Sequence, residues 1–180
     1  MCKRLSSIML CLILIVNISG CGCVVPFLRS DPNFKTDEEQ NVEYSENLMK
    51  ILKEKDEVAF KELLCQDILD NDEYIDDEIH QAFNFIEGDI ISYDPPDSGD
   101  ISKTSTPEDG YTEALASCNL ENITTSDGKT YQIRYSYGMI NKDHPESLGL
   151  RIFSVWINRA ETESDSKDQD RYELVGTGNW

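Results

Sequence analysis

Basic residues are scarce in this chain of 180 residues. Its 16 Lys and Arg stand against 35 Asp and Glu, which gives a formal net charge of -19. Proteins that bind nucleic acid obtain much of their affinity by neutralising phosphates with Lys and Arg. The composition therefore argues against a nucleic-acid partner, and also against a polybasic grip on anionic lipid.

Catalytic and metal-binding signatures are also lacking. The two histidines, His80 and His144, are far apart and in no spacing typical of a metal site. No Gly-x-Ser-x-Gly elbow, phosphate-binding loop or dinucleotide fingerprint occurs. The acidic stretch 67–78 could suggest a calcium-binding EF-hand loop, but Ile75 occupies the position at which such a loop needs glycine. The simpler interpretation is that these acids cap a helix and face solvent. We expect no metal and no cofactor.

No apolar run is long enough to span a bilayer, but a short one lies near the start. Lys3 and Arg4 precede the apolar segment 8–16, and the four residues Ile18-Ser19-Gly20-Cys21 follow it. A spanning helix needs about 20 residues, whereas this order of charge, apolar core and small residues is typical of a secretory signal. The alternative is an ordinary signal peptide in which Cys21 is incidental.

The segment 18–21 resembles the lipobox of bacterial lipoproteins. That resemblance implies a signal peptide over residues 1–20 and attachment of lipid, with acyl chains such as palmitate, to the thiol of Cys21. Two buried acyl chains are enough for stable attachment. The expected location is the extracytoplasmic face of the cell membrane, with the membrane as a partner through the lipid. Residues 21–40, with Pro26 and Asp31-Pro32, predict a flexible tether.

Three helical patterns follow the tether and open a domain predicted over residues 41–180. Their apolar positions recur at helical spacing: Tyr44, Leu48, Ile51 and Leu52; then Phe60, Leu63 and Leu64; then Ile75, Ile79, Ala82, Phe83 and Ile86. Gly88 is a suitable stop for the third helix. Cys65 and Cys118 lie within apolar patterns and predict buried thiols, although an exported chain could also join them in a disulfide.

Strand patterns occupy the second half of the chain. Strands are predicted over 89–93, 111–124, 129–140, 148–160 and 172–175, with a hairpin turn at 126–128. Residues 95–110, rich in Pro, Ser, Asp and Gly, predict a flexible loop, and the charged segment 161–171 a mobile one. In the strand over 148–160, Leu150, Ile152 and Trp156 alternate with Phe153, Val155 and Ile157, which predicts a central strand covered on both sides. The fold class is α+β, about three helices on an antiparallel sheet of four to five strands.

Three stretches of this pattern resemble a known family. Phe83-Asn84-Phe85-Ile86-Glu87-Gly88-Asp89-Ile90, Tyr131-Gln132-Ile133-Arg134-Tyr135 and Gly149-Leu150-Arg151-Ile152 look like an uncharacterised family of Firmicutes lipoproteins, domain of unknown function 5104. The resemblance covers residues 41 to about 160. It implies the NTF2-like, cystatin-like class, a curved sheet wrapped around a long helix with a pocket at the open end. It implies no activity.

The candidate pocket residues are Tyr135, Tyr137 and Trp156. Some NTF2-like proteins are isomerases or dehydratases in which a tyrosine donates to a developing oxyanion, and Tyr135 or Tyr137 could take that role. The simpler interpretation is that aromatic residues at a spacing of two pack in the core. We expect a binding module for a small molecule or a partner protein, with an enzyme or a structural envelope protein as alternatives. The oligomeric state stays open.

Overall fold

The computed structural model describes residues 35–108, 110–157 and 171–175. The predicted signal peptide, Cys21, most of the predicted tether and nearly all of the segment 161–171 lie outside the described residues. Every helix and strand below belongs to the unit that begins at Asp37. Within the described residues, no helix combines the length and the apolar character needed to cross a membrane.

Four helices open the domain, one more than the sequence predicts. They are α1 (Asp37–Glu54), α2 (Glu57–Leu63), α3 (Gln66–Asn71) and α4 (Ile75–Phe85). Three acids in its first turn suit the start of α1 at Asp37, which lies before the predicted end of the tether. Asp56 caps α2 by accepting from the Ala59 N–H at 2.9 Å. The additional helix, α3, has Ile68 as its single buried residue, too little for a periodic signal.

The strands form one antiparallel sheet. They are β1 (Ile90–Ser92), β2 (Asp100–Thr106), β3 (Gly110–Thr125), β4 (Thr130–Asn141), β5 (Gly149–Ile157) and β6 (Arg171–Val175). The order is β1-β3-β4-β5-β6, and β2 pairs with the same strand, β3, as β1 does. Gly128, at a φ of 77°, makes the predicted turn between β3 and β4.

The prediction of a loop over 95–110 is wrong where β2 forms. Asp100 to Thr106 pair in register with β3, from Asp100 opposite Ser117 to Thr106 opposite Gly110. The sequence hides this strand because only Ile101 in it is even partly buried, so no alternation of apolar and polar residues marks it. An exposed, polar edge strand is an expected way to limit pairing with other chains.

The prediction that Leu150 shares a face with Ile152 and Trp156 is also wrong. Ile152 pairs with Ser136, whereas Leu150 pairs with Tyr137, because the register shifts between Ser136 and Tyr137. A bulge of this kind adds a residue and turns the rest of the strand over. Leu150 is consequently fully buried beside Tyr137, while Ile152 and Trp156 are only partly buried on the other face.

The core lies between the four helices and one face of the sheet. Phe60 of α2 meets Phe83 of α4 and Phe153 of β5 edge to face, with ring centroids 5.4 and 5.1 Å apart. The largest fully buried side chains around them are Tyr131, Tyr135, Leu48, Met49, Ile68, Ile79, Leu120, Ile123, Ile133 and Leu150. Cys65 and Cys118 are buried and free, which confirms the prediction of buried thiols.

Candidate functional site

A cluster of three tyrosines joins the longest helix to the middle of the sheet. Tyr44 of α1 stacks on Tyr137 of β4, with ring centroids 3.8 Å apart and planes at 4°. Tyr135 is tilted against both, at 5.6 Å from Tyr44 and 6.2 Å from Tyr137. The structure thus brings two of the three predicted pocket residues together, and the helix adds a third aromatic ring.

Buried polar groups of α1 hold the hydroxyl of Tyr135. The Ser45 Oγ lies 2.5 Å from that hydroxyl and donates to the Asn41 carbonyl at 2.9 Å. The Cys118 thiol lies 3.7 Å from the same Ser45 oxygen. Asn41 and Ser45 are fully buried. Sequence reasoning missed both, although they continue the helical spacing of Tyr44 and Leu48 towards the N-terminus of α1.

A seven-residue strap, residues 93–99 between β1 and β2, lies over this polar cluster. Its Ser98 carbonyl accepts from the Asn41 Nδ2 at 2.5 Å, and the Asp97 Oδ1 lies 3.7 Å from the Cys118 Sγ. Gly99 has a φ of 59°, and a Cβ there would stand 2.4 Å from the Ser117 carbonyl oxygen. Only glycine tolerates both that backbone conformation and that contact. The strap therefore sits tightly against the cluster.

The tyrosine cluster favours neutral hydroxyls. Burial raises the pKa of Tyr137 to about 12 and raises the pKa of Tyr44 and of Tyr135 further still. Among the described residues, no carboxylate or imidazole forms a hydrogen bond with any of the three hydroxyls, and the Tyr44 hydroxyl has no hydrogen-bond partner. The arrangement can pack and position side chains, and within the described part of the chain no base is hydrogen-bonded to the three hydroxyls.

The histidines lie away from the cluster. His80 on α4 contacts Glu57 at 2.9 Å, and His144 contacts Glu146 at 3.0 Å. Their side chains are 63% and 70% exposed, so neither imidazole reaches a buried tyrosine. Both pairs are surface contacts that contribute little to stability.

Trp156, the remaining predicted pocket residue, lies on the opposite face of the sheet. It pairs with Gln132 of β4, one step from the Ile133–Val155 pair whose side chains are fully buried against the helices. The Arg171 guanidinium lies 5.2 Å from the centre of its ring, a cation–π contact. The structure does not bring Trp156 to the tyrosines.

An open groove lies where the C-terminal half of α4 meets the ends of three strands. Its volume is about 620 Å³, within the usual range for small-molecule sites. The lining comprises Gln81, Asn84 and Phe85 of α4, Glu87, Lys129, Ile157 of β5 and Tyr172 of β6. We call this feature the α4 groove.

Aromatic rings form one wall of the α4 groove and are fixed from behind. Phe85 lies 6.2 Å from Tyr172 and also 6.2 Å from Tyr131, whose ring it meets edge to face. The Tyr172 hydroxyl donates to the Glu78 carbonyl at 2.7 Å, and the Glu87 N–H donates to the Tyr131 hydroxyl at 3.0 Å. The Tyr172 ring, which lines the groove, and the buried Tyr131 ring, against which Phe85 packs, are each anchored by a hydrogen bond.

The polar groups of the α4 groove are of two kinds. Lys129 Nζ and Glu87 Oε1 lie 2.5 Å apart, and the hydrogen bond from Lys129 to Glu87 raises the pKa of Lys129. Gln81 and Asn84 are exposed one helical turn apart, and within the described part of the chain neither side-chain amide has a hydrogen-bond partner. Each amide can therefore both donate to and accept from a ligand.

The acidic stretch 67–78 forms local contacts. Asn71 Nδ2 donates to Asp67 Oδ1 at 2.9 Å, Gln66 donates to Asp70, and Asp72 accepts from the Tyr74 N–H. Within residues 35–108, 110–157 and 171–175, no three His, Cys, Asp or Glu side chains are grouped so that they could hold a metal ion. The stretch contributes helix ends and solvated surface.

Comparison with known proteins relates this domain to one family. The family described as "Domain of unknown function (DUF5104)" matches residues 47–160, which include α4, the paired strands β3 to β5 and all but one residue of the α4 groove. No curated protein sequence matches the chain.

Proposed function

The chain belongs to the DUF5104 family, a domain of unknown function, and from that premise we propose that it is a lipid-anchored binding module on the extracytoplasmic face of a bacterial membrane. Cys21 carries the lipid, residues 1–20 are removed, and the tether ends where α1 begins at Asp37. The fold is an NTF2-like cone of the kind that Firmicutes lipoproteins use. Helices packed on one face of an antiparallel sheet support that class.

The observation that carries the binding role is the α4 groove. It is open, it contains the anchored Tyr172 ring beside Phe85, and its two side-chain amides have no hydrogen-bond partner among the described residues. Binding sites combine an apolar surface with a few polar groups that orient the ligand, and this groove has both. The three rings of the tyrosine cluster are packed against one another, which suits a structural role better than an isomerase or dehydratase site.

Native mass spectrometry of the protein, released with detergent from the membranes of its own cells, tests the binding role. We expect a co-purifying mass in the wild type that is lost in the double variant Gln81→Ala/Asn84→Ala. Asn47→Ala is the matched control, because Asn47 is an exposed amide on α1 outside the groove. Absence of any bound mass, or a mass that the double variant retains, would contradict the proposal.

Cell fractionation tests the anchor. The Cys21→Ala variant removes the thiol to which the lipid is proposed to be attached, so the protein should leave the membrane fraction. Cys65→Ala is the control, since that thiol is buried in the domain. Equal membrane association of both variants would contradict attachment through Cys21.

A further inference from the structure

We propose that the α4 groove binds a neutral carbohydrate ring, an assignment that rests on the proposed binding function and names its ligand class. The Tyr172 ring, anchored through its hydroxyl, and the Phe85 ring, which lies 6.2 Å away and is tilted by 39° to it, supply apolar surface against which the C–H face of a sugar ring can lie. Aromatic side chains contribute large apolar contact with a defined geometry.

The unengaged amides match hydroxyl groups. Gln81 and Asn84 line the groove three residues apart on α4, so both amides lie on one face of the helix. Each amide has an acceptor oxygen and a donor NH₂, and a pair of neighbouring sugar hydroxyls offers the complementary donor and acceptor. A purely apolar ligand would leave both amides desolvated without a partner, which is costly.

The charges of the groove favour a neutral ligand. Glu87 and Lys129 already pair with each other, and the other lining residues that the structure describes carry no charge. An anionic ligand would have to compete with the Glu87 carboxylate for the single ammonium group. It would also approach a chain whose formal net charge is -19. A cationic ligand would have to compete with Lys129 for the Glu87 carboxylate.

The size of the groove sets the length of the ligand. A volume of about 620 Å³ suits a drug-sized molecule, and its open form allows a longer chain to continue into solvent. One or two sugar rings are therefore expected to make the contacts.

Titration of the ¹⁵N-labelled mature chain, held in a detergent without a sugar headgroup, tests the assignment. The probes are maltotriose, cellobiose and N,N′-diacetylchitobiose, and the neutral peptide Gly-Ala-Gly is the comparison. We expect at least one saccharide to cause saturable shifts of the Gln81 and Asn84 side-chain NH₂ signals. Gln81→Ala/Asn84→Ala should weaken that binding about tenfold or more, because two hydrogen bonds are lost. Asn47→Ala should leave it unchanged.

Two results would overturn the carbohydrate assignment. The first is binding of Gly-Ala-Gly with no saccharide binding, which would make the groove a peptide site while the proposed binding function stands. The second is saccharide binding that the double variant retains, which would place the ligand elsewhere. If no probe binds and native mass spectrometry also finds no bound mass, the binding function itself fails together with this assignment.

Discussion

Replacing Gly99 with alanine tests whether the strap is held tightly over the polar cluster. Gly99 has a φ of 59°, a conformation that costs a non-glycine residue about 1–2 kcal/mol. The new Cβ would also stand 2.7 Å from the Asn41 Nδ2 and 2.4 Å from the Ser117 carbonyl oxygen. The strap must then shift, and the fully buried Asn41 amide loses its bond to the Ser98 carbonyl.

The loss of that bond adds a second cost. A buried donor left without a partner costs about 1–3 kcal/mol, so Gly99→Ala should lower the free energy of unfolding by about 2–5 kcal/mol in total. Gly128→Ala is the matched control. Gly128 has a φ of 77°, but a Cβ there meets nothing within 4 Å. It should therefore show the backbone cost alone, about 1–2 kcal/mol.

Urea unfolding followed by far-ultraviolet circular dichroism measures both variants. If the strap is held tightly, Gly99→Ala should lower the free energy of unfolding more than Gly128→Ala does. Equal losses in the two variants would refute the close seating of the strap.

Three further predictions concern the tyrosine cluster and the thiols. Because burial raises the pKa of Tyr44, Tyr135 and Tyr137, the folded state retains protons that the unfolded chain releases. The contribution of these tyrosines to the free energy of unfolding should be fully present below pH about 10. Above that pH it should fall by up to roughly 1.4 kcal/mol per pH unit for each tyrosine. Urea titrations at pH 8 to 11.5 check this, and a free energy of unfolding that does not change with pH would contradict it. Tyr135→Phe should lower the free energy of unfolding by about 1 kcal/mol at pH 7 and reduce the alkaline slope, because it removes one buried hydroxyl; no change in either would contradict the bond to α1. Cys65 and Cys118 should react with a thiol reagent only as fast as the protein opens, since burial raises the pKa of both; rapid reaction in the native state would contradict their burial.

Periodic patterns were enough to predict most of the architecture. The three predicted helices, the hairpin turn at Gly128 and the edge strand at the end of the described chain all occur. Each of these has a local signal, either apolar residues at a fixed spacing or a turn glycine. The α+β class with an antiparallel sheet followed directly from their order.

Features set by pairing between distant segments could not be predicted. Strand β2 exists because β3 supplies its hydrogen bonds, and its own residues are nearly all exposed. Leu150 changes face because of a bulge in the pairing of β4 with β5, which leaves no trace in the alternation of β5.

The site was equally hard to foresee. Trp156 was predicted to be a pocket residue, but its position in β5 puts its side chain on the face of the sheet opposite the helices. The α4 groove joins residues from Gln81 to Tyr172, and only the fold brings them together. The burial of Asn41 could have been predicted, because Asn41 continues the helical spacing of the buried residues of α1 by one turn. A polar residue at such a position is, however, easily assigned to the end of a tether.

The mass of the native N-terminus tests the central claim most directly. Mass spectrometry of the protein isolated from its own membranes should find a chain that begins at Cys21, with the cysteine carrying a diacylglyceryl group. A chain that begins at another residue, or an unmodified Cys21, would contradict the account of a lipid-anchored binding module.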